Sequence, residues 1–157
     1  METKAHGKPY ARLLGMTILH FMAMYGLMYA MVATAADIFP NNNQLYMAAL
    51  MTSPMLLIEL WLMGGMYPRK AVNAVLILAG LVLLGGSFLL IRQQTLIDDR
   101  QFLKSMIPHH SGAILMCGEA PIRDPEVRAL CTGIIESQAR EIRIMKAKLM
   151  AMDAGAG

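Results

Sequence analysis

The sequence predicts an all-α chain: three transmembrane helices followed by an extracytoplasmic helical hairpin. Three observations carry that reading. Residues 13–36, 45–66 and 71–91 form blocks in which Glu59 is the one charged side chain. Each block is about the ~20 residues that a helix needs to cross a bilayer core. Composition agrees, with 56% of the chain apolar and 16% charged. Beyond residue 91 charge returns, and apolar positions recur at helical spacing. The chain therefore divides into a membrane domain, 1–91, and a hairpin domain, 92–157.

The first span follows Lys4, Lys8 and Arg12, and the turn between the second and third spans carries Arg69 and Lys70. The loop "DIFPNNNQ" between the first two spans has no Lys or Arg. The positive-inside rule then puts the N-terminus in the cytoplasm and the hairpin outside it. The first span also has a basic lead and an "ATAA" end. Its apolar stretch exceeds the usual core of a signal peptide, so an uncleaved span is expected. Cleavage would leave the hairpin on the same side.

Ten of the sixteen methionines lie in the first two spans and none in the third. Met16, His20, Met24, Met28 and Met31 share one side of a helix, and Met47, Met51, Met55, Glu59 and Met63 step by four. Methionine is a flexible core filler, which explains any one of these positions. His20 and Glu59 are ionisable groups within spans, where such groups are costly and face a partner or a cavity.

After the third span the helical pattern runs on through "RQQTLIDDRQFLKSMIPHHSGAILMCG", with Pro108 expected to kink it and to free the Lys104 carbonyl. Asp124 is a good N-cap for a second helix, with Pro125 in its first turn. If the hairpin folds about residue 124, positions summing to 248 lie level. Cys117 then faces Cys131 and His110 faces Gln138, with Met106, Glu141 and Met145 on the same inner stripe. Thioether and imidazole donors together suit monovalent copper. Met106, His109, His110, Met116 and Met145 are the candidate ligands. A buried His110–Gln138 pair that sets register, or a catalytic histidine pair, are the alternatives. The cysteines can form a disulfide, stay free, or ligate metal. A di-iron centre is excluded, because the chain has no Glu-x-x-His motif. No nucleophile triad or Gly-rich phosphate loop is present, so neither an enzyme activity nor an organic cofactor is expected. Nine basic residues against eight acidic ones in 92–157 argue against a nucleic-acid partner.

"DRQFLKSMIPHHSGAILMC" followed by "VRALCTGIIESQAREIRIMKAKL" resembles the bacterial domain-of-unknown-function family 305. The resemblance covers about residues 98–150, and the family pattern falls on Asp99, Phe102, Met106, His109, His110, Ala113, Met116, Gln138, Glu141 and Met145. It implies a ferritin-like helical fold, a periplasmic or membrane-anchored setting, and a link to copper binding and tolerance. Many members carry two hairpins where this chain has one. Dimerisation into a four-helix bundle is therefore expected. Cys117 and Cys131 occupy positions that resemble alanine in the family pattern.

The expected protein sits in a bacterial inner membrane and binds Cu(I) through its periplasmic hairpin, for tolerance, buffering or handover to copper-handling partners. Asp99, Gln138 and Glu141 would support the ligands or fix register. Its rival is a non-catalytic interaction protein whose polar stripe only sets register. A further possibility is that the methionine rows of the spans pass copper across the bilayer.

Overall fold

The computed structural model describes residues 8–155, and Lys4 lies outside them. All regular elements among these residues are helical. They are α1 (Lys8–Leu27), α2 (Asn42–Leu62), α3 (Lys70–Gln93), α4 (Asp99–Glu119) and α5 (Pro125–Ala154), with single 3-10 turns at Met28–Met31, Ala35–Asp37 and Gly64–Met66. Three segments, Lys8–Met31, Asn42–Leu62 and Lys70–Gln93, are long and apolar enough to cross a membrane. The first begins and ends earlier than the apolar block alone predicts. Its "ATAA" end leaves the helix, because the backbone N–H of Ala33 donates to Ser111 Oγ at 2.8 Å instead of to a helical carbonyl.

The chain forms two compact units. One comprises Met1–Leu27 with Gln44–Thr95, the other Met28–Asn43 with Leu96–Gly157. The loop between the first two spans thus groups with the hairpin.

In the first unit Leu13, Leu56, Leu60 and Tyr67 make a buried cluster, joined by Tyr10 and Leu76. The Tyr10 and Tyr67 rings lie 5.4 Å apart. Tyr10 Oη donates to Asn73 Oδ1 at 2.8 Å and accepts from the Arg69 N–H at 3.0 Å. Pro54 lies inside α2 and cannot donate to the Leu50 carbonyl. Ser53 Oγ donates to that carbonyl at 3.0 Å, so the helix continues with its polar groups satisfied. Gly80 allows α3 close to α2, since a Cβ there would stand 2.7 Å from Leu57 Cδ2.

The helix expected to run unbroken from the third span does not. Gln94 and Leu96 adopt φ of 52° and 58°, in the left-handed region. Gln94 caps α3, and Asp98 then starts α4 by accepting from the Gln101 N–H at 2.7 Å. Strong start signals at Asp98 outcompete helical continuation, because its carboxylate satisfies an otherwise orphaned donor.

In the second unit α4 and α5 form an antiparallel hairpin. Asp124 caps α5 through the N–H groups of Glu126 and Val127, at 2.9 and 3.0 Å. Cys117 and Cys131 form a disulfide at the closed end, with Cα atoms 5.1 Å apart. Arg100 and Asp153 pair at the open end. Ile107, Ile142, Met145 and Leu149 are the buried core, with Leu103, Met106, Ile114 and Phe39 packed on it. Phe39 comes from the inter-span loop, which lies along one side of the hairpin. Asn42 N donates to Gln101 Oε1 at 3.0 Å, and Asn41 Nδ2 to the Lys104 carbonyl at 3.4 Å. That carbonyl is the one Pro108 leaves without its helical donor, so the loop supplies what the proline removes. Gly112 gives the loop room: an added Cβ would lie 3.4 Å from the Met31 carbonyl.

Candidate metal centre

The two hairpin helices each present a pair of side chains one turn apart, Met106 with His110 on α4 and Glu141 with Met145 on α5. With Phe102 and Ile144 they line a groove of about 230 Å³. His110 is buried, and its ring is held at both nitrogens. Nδ1 lies 2.9 Å from the Met106 carbonyl, one turn earlier in the same helix. Nε2 lies 2.7 Å from Glu141 Oε2. A carbonyl only accepts, so Nδ1 donates to it, and Nε2 is the nitrogen that meets Glu141. The pair sets a buried imidazole nitrogen against a half-exposed carboxylate.

The level rule predicts Gln138 opposite His110, and the structure places Glu141 there. Side chains on a helix lean toward its N-terminus. In an antiparallel hairpin the two leans converge, so His110 meets a residue about one turn further along α5 than its backbone level. Gln138 Oε1 is buried with no hydrogen-bond partner among the described residues.

A second polar cluster lies on the loop side. Asp37 is buried and accepts from Ser111 Oγ at 2.6 Å, Lys146 Nζ at 2.6 Å and Thr34 Oγ1 at 3.2 Å. Burial pushes its carboxyl up, but the Lys146 and Ser111 hydrogen bonds and the Lys146 charge outweigh that and hold it below its ordinary value. Lys146 also sits 5.9 Å from the centre of the Phe39 ring.

Of the residues read from sequence, Met106, His110, Met145 and Glu141 come together in the groove. His109 is exposed, its ring centre 6.0 Å from that of His110 and edge-on to it. Met116 is exposed and does not line the groove. Asp99 is exposed in the first turn of α4, where a carboxylate suits the helix dipole. Cys117 and Cys131 are spent on each other. Within the first unit, His20 is half-buried in α1, and Glu59 accepts from Tyr67 Oη at 3.0 Å, one turn before the end of α2.

Chemically, the groove offers two thioethers, one imidazole nitrogen and one carboxylate. Among the described residues no three His, Cys, Asp or Glu side chains converge on a metal-sized site. An ion held here would therefore need thioether ligands, and thioethers select Cu(I) over harder ions. The donor set fits copper in that oxidation state.

Residues 91–149, which hold this groove, match the family described as Domain of unknown function (DUF305). Over 137 residues the chain is 34% identical to an uncharacterized protein of Acanthamoeba polyphaga mimivirus, covering 85% of this chain and 88% of that one. The chain belongs to the DUF305 family. The stretch shared with the viral protein, 137 residues, is longer than the 59 from 91 to 149, so it takes in much of the spanning region too. No solved structure matches the chain. In this DUF305 chain the sequence reading missed Asp37, Ser111 and Lys146. Their one sequence signal is an acid placed just after the "ATAA" end of a span, a costly position unless a cation meets it.

Proposed function

We propose that this protein is a membrane-anchored binder of Cu(I), serving copper tolerance, buffering or handover to another copper-handling protein. The observation that carries the reading is the groove itself: Met106 and Met145 line it with a histidine whose Nδ1 is fixed by a carbonyl and whose Nε2 meets Glu141, another lining residue. Metal-binding histidines are held in this way, with the distal N–H donated to a fixed oxygen. Copper would take the place of Glu141 at Nε2, and Glu141 would remain beside the site. The hairpin is read as extracytoplasmic, which is the periplasm if the host is a bacterium with an inner membrane. Support comes from the basic residues flanking the cytoplasmic ends of the spans and from the Cys117–Cys131 disulfide, a bond suited to an oxidising compartment.

The test is a Cu(I) titration of the full chain in detergent, in competition with a chromogenic Cu(I) chelator. The hairpin alone is not used, because Phe39 and Asp37 belong to its unit. The reading requires that wild type holds Cu(I) and that His110→Ala with Met145→Leu holds it at least ~10-fold more weakly. Equal retention by both would refute it.

One observation favours a second reading. The His110–Glu141 pair is already satisfied without metal, so the stripe can act purely as a register device in an interaction protein. That reading expects Cu(I) to leave the melting temperature unchanged and His110→Leu to be neutral or stabilising.

A further inference from the structure

The hairpin helices each carry two apolar seams, and the second is only partly covered. On α4 the inner seam runs Leu103, Ile107, His110, Ile114, Cys117, in steps of four and three. A second seam beside it runs Phe102, Met106, His109, Ala113, Met116, with the same steps. On α5 the inner seam, Cys131 to Leu149, is matched by a second one through Leu130, Ile134, Ser137, Glu141 and Ile144. The second seams hold large apolar side chains left in the open: Phe102 and Met116 are 50% and 53% exposed, Leu130 and Ile144 62% and 61%. A helix with two adjacent seams is built to touch two neighbouring helices. Here one neighbour is missing, since the inter-span loop covers a different side of α4.

The open seams complement each other. A two-fold axis along the bundle keeps the two copies level, so α4 of one meets α5 of the other in about the register the hairpin already uses. Within the chain that register pairs positions summing to 248 at the disulfide and to 251 at His110–Glu141. At an intermediate sum Met106 meets Ile144, Met116 meets Ile134, Ala113 meets Ser137, and His109 meets Glu141. Apolar faces apolar, small faces small, and the one imidazole of the α4 seam faces the one carboxylate of the α5 seam.

We infer that a second copy of this chain closes the groove and that the copper site is shared: His109 of one copy completes the Met106, His110 and Met145 set of the other. This rests on the copper reading above. It assigns separate places to the adjacent histidines, His110 inside its own hairpin and His109 across the interface.

The experiment co-expresses two full-length variants carrying different tags. One is Met106→Leu with Met145→Leu, which keeps core volume but removes the thioethers; the other is His109→Ala. Each alone should bind Cu(I) at least ~10-fold more weakly than wild type. Purified together they should regain about a quarter of wild-type capacity, because half of the dimers are mixed and each of these has one intact site of two. His109→Ala binding as tightly as wild type, or a mixture no better than its parents, would overturn the shared site while leaving the copper reading standing. Wild type binding no Cu(I) at all would remove both. Light scattering of wild type and of Ile144→Glu gives a metal-independent check: the first should be a dimer and the second a monomer, and a monomeric wild type sinks the proposal.

Discussion

His110 has two ring nitrogens, and each meets an oxygen. For a metal to reach Nε2, Glu141 Oε2 must give up its 2.7 Å contact with that nitrogen, so Cu(I) binding by wild type should shift the His110 ring signals in NMR. Imidazole spectra with and without Cu(I) measure this, and unchanged His110 signals would argue against Nε2 as a ligand. Met145→Leu should weaken Cu(I) binding by ~10–100-fold while changing stability by less than about 1.5 kcal/mol, since the swap conserves volume. Chelator competition and urea unfolding separate the two effects. That Met106, His110 and Met145 line one groove was legible in the sequence, because steps of four and seven on a helix fix a shared face and the hairpin turn sets the two faces together. The partner of His110 was not. Counting levels along two helices ignores the lean of side chains, and that lean decided between Gln138 and Glu141.

At the scale of elements, the inter-span loop is joined to the hairpin by a buried carboxylate. Asp37 titrates below its ordinary value of 3.8 because Lys146 and Ser111 favour its charged form. A lowered folded value gives stabilisation that is complete above 3.8 and fades as pH falls through the folded value. Asp37→Asn should therefore destabilise the protein by about 2 kcal/mol at neutral pH, a figure reduced for the partial exposure of Lys146. The gap to wild type should close in strong acid, and thermal melts across the pH range follow it. The disulfide closes a short loop, with a sequence separation of 14. Replacing both cysteines by alanine should cost about 3 kcal/mol, read from denaturant midpoints. The helices themselves, with the cap at Asp124, could be read from the sequence. The break after α3 could not, because Gln94 and Leu96 enter the left-handed region without the glycine that usually announces it.

Across the whole molecule, the two parts of the second unit, 28–43 and 96–157, are separated in sequence by two of the three helices apolar enough to span a membrane. Under the proposed topology two crossings return the chain to the side it left, which lets the loop and the hairpin meet. Glu119→Cys should then react with a membrane-impermeant maleimide from outside intact cells, and Gly65→Cys should not. The reverse pattern would invert the proposed topology. The three helices long and apolar enough to span a membrane were legible because runs without charge are unmistakable. The grouping of the loop was hidden, because nothing local in "DIFPNNNQ" says which distant helix its Asp37 and Phe39 will meet.

That grouping also sets an order of assembly. Asp37 leaves the ribosome 109 residues before Lys146, the cation that neutralises it. During synthesis the loop must wait, its carboxylate solvated and its aromatic ring bare, while α2 to α4 and most of α5 are made. The second unit closes only when nearly the last turn of α5 arrives. A chain cut short before Met145 would therefore lose the loop's anchor together with that thioether, so the docking of the loop and the thioether pocket are completed at one step of synthesis.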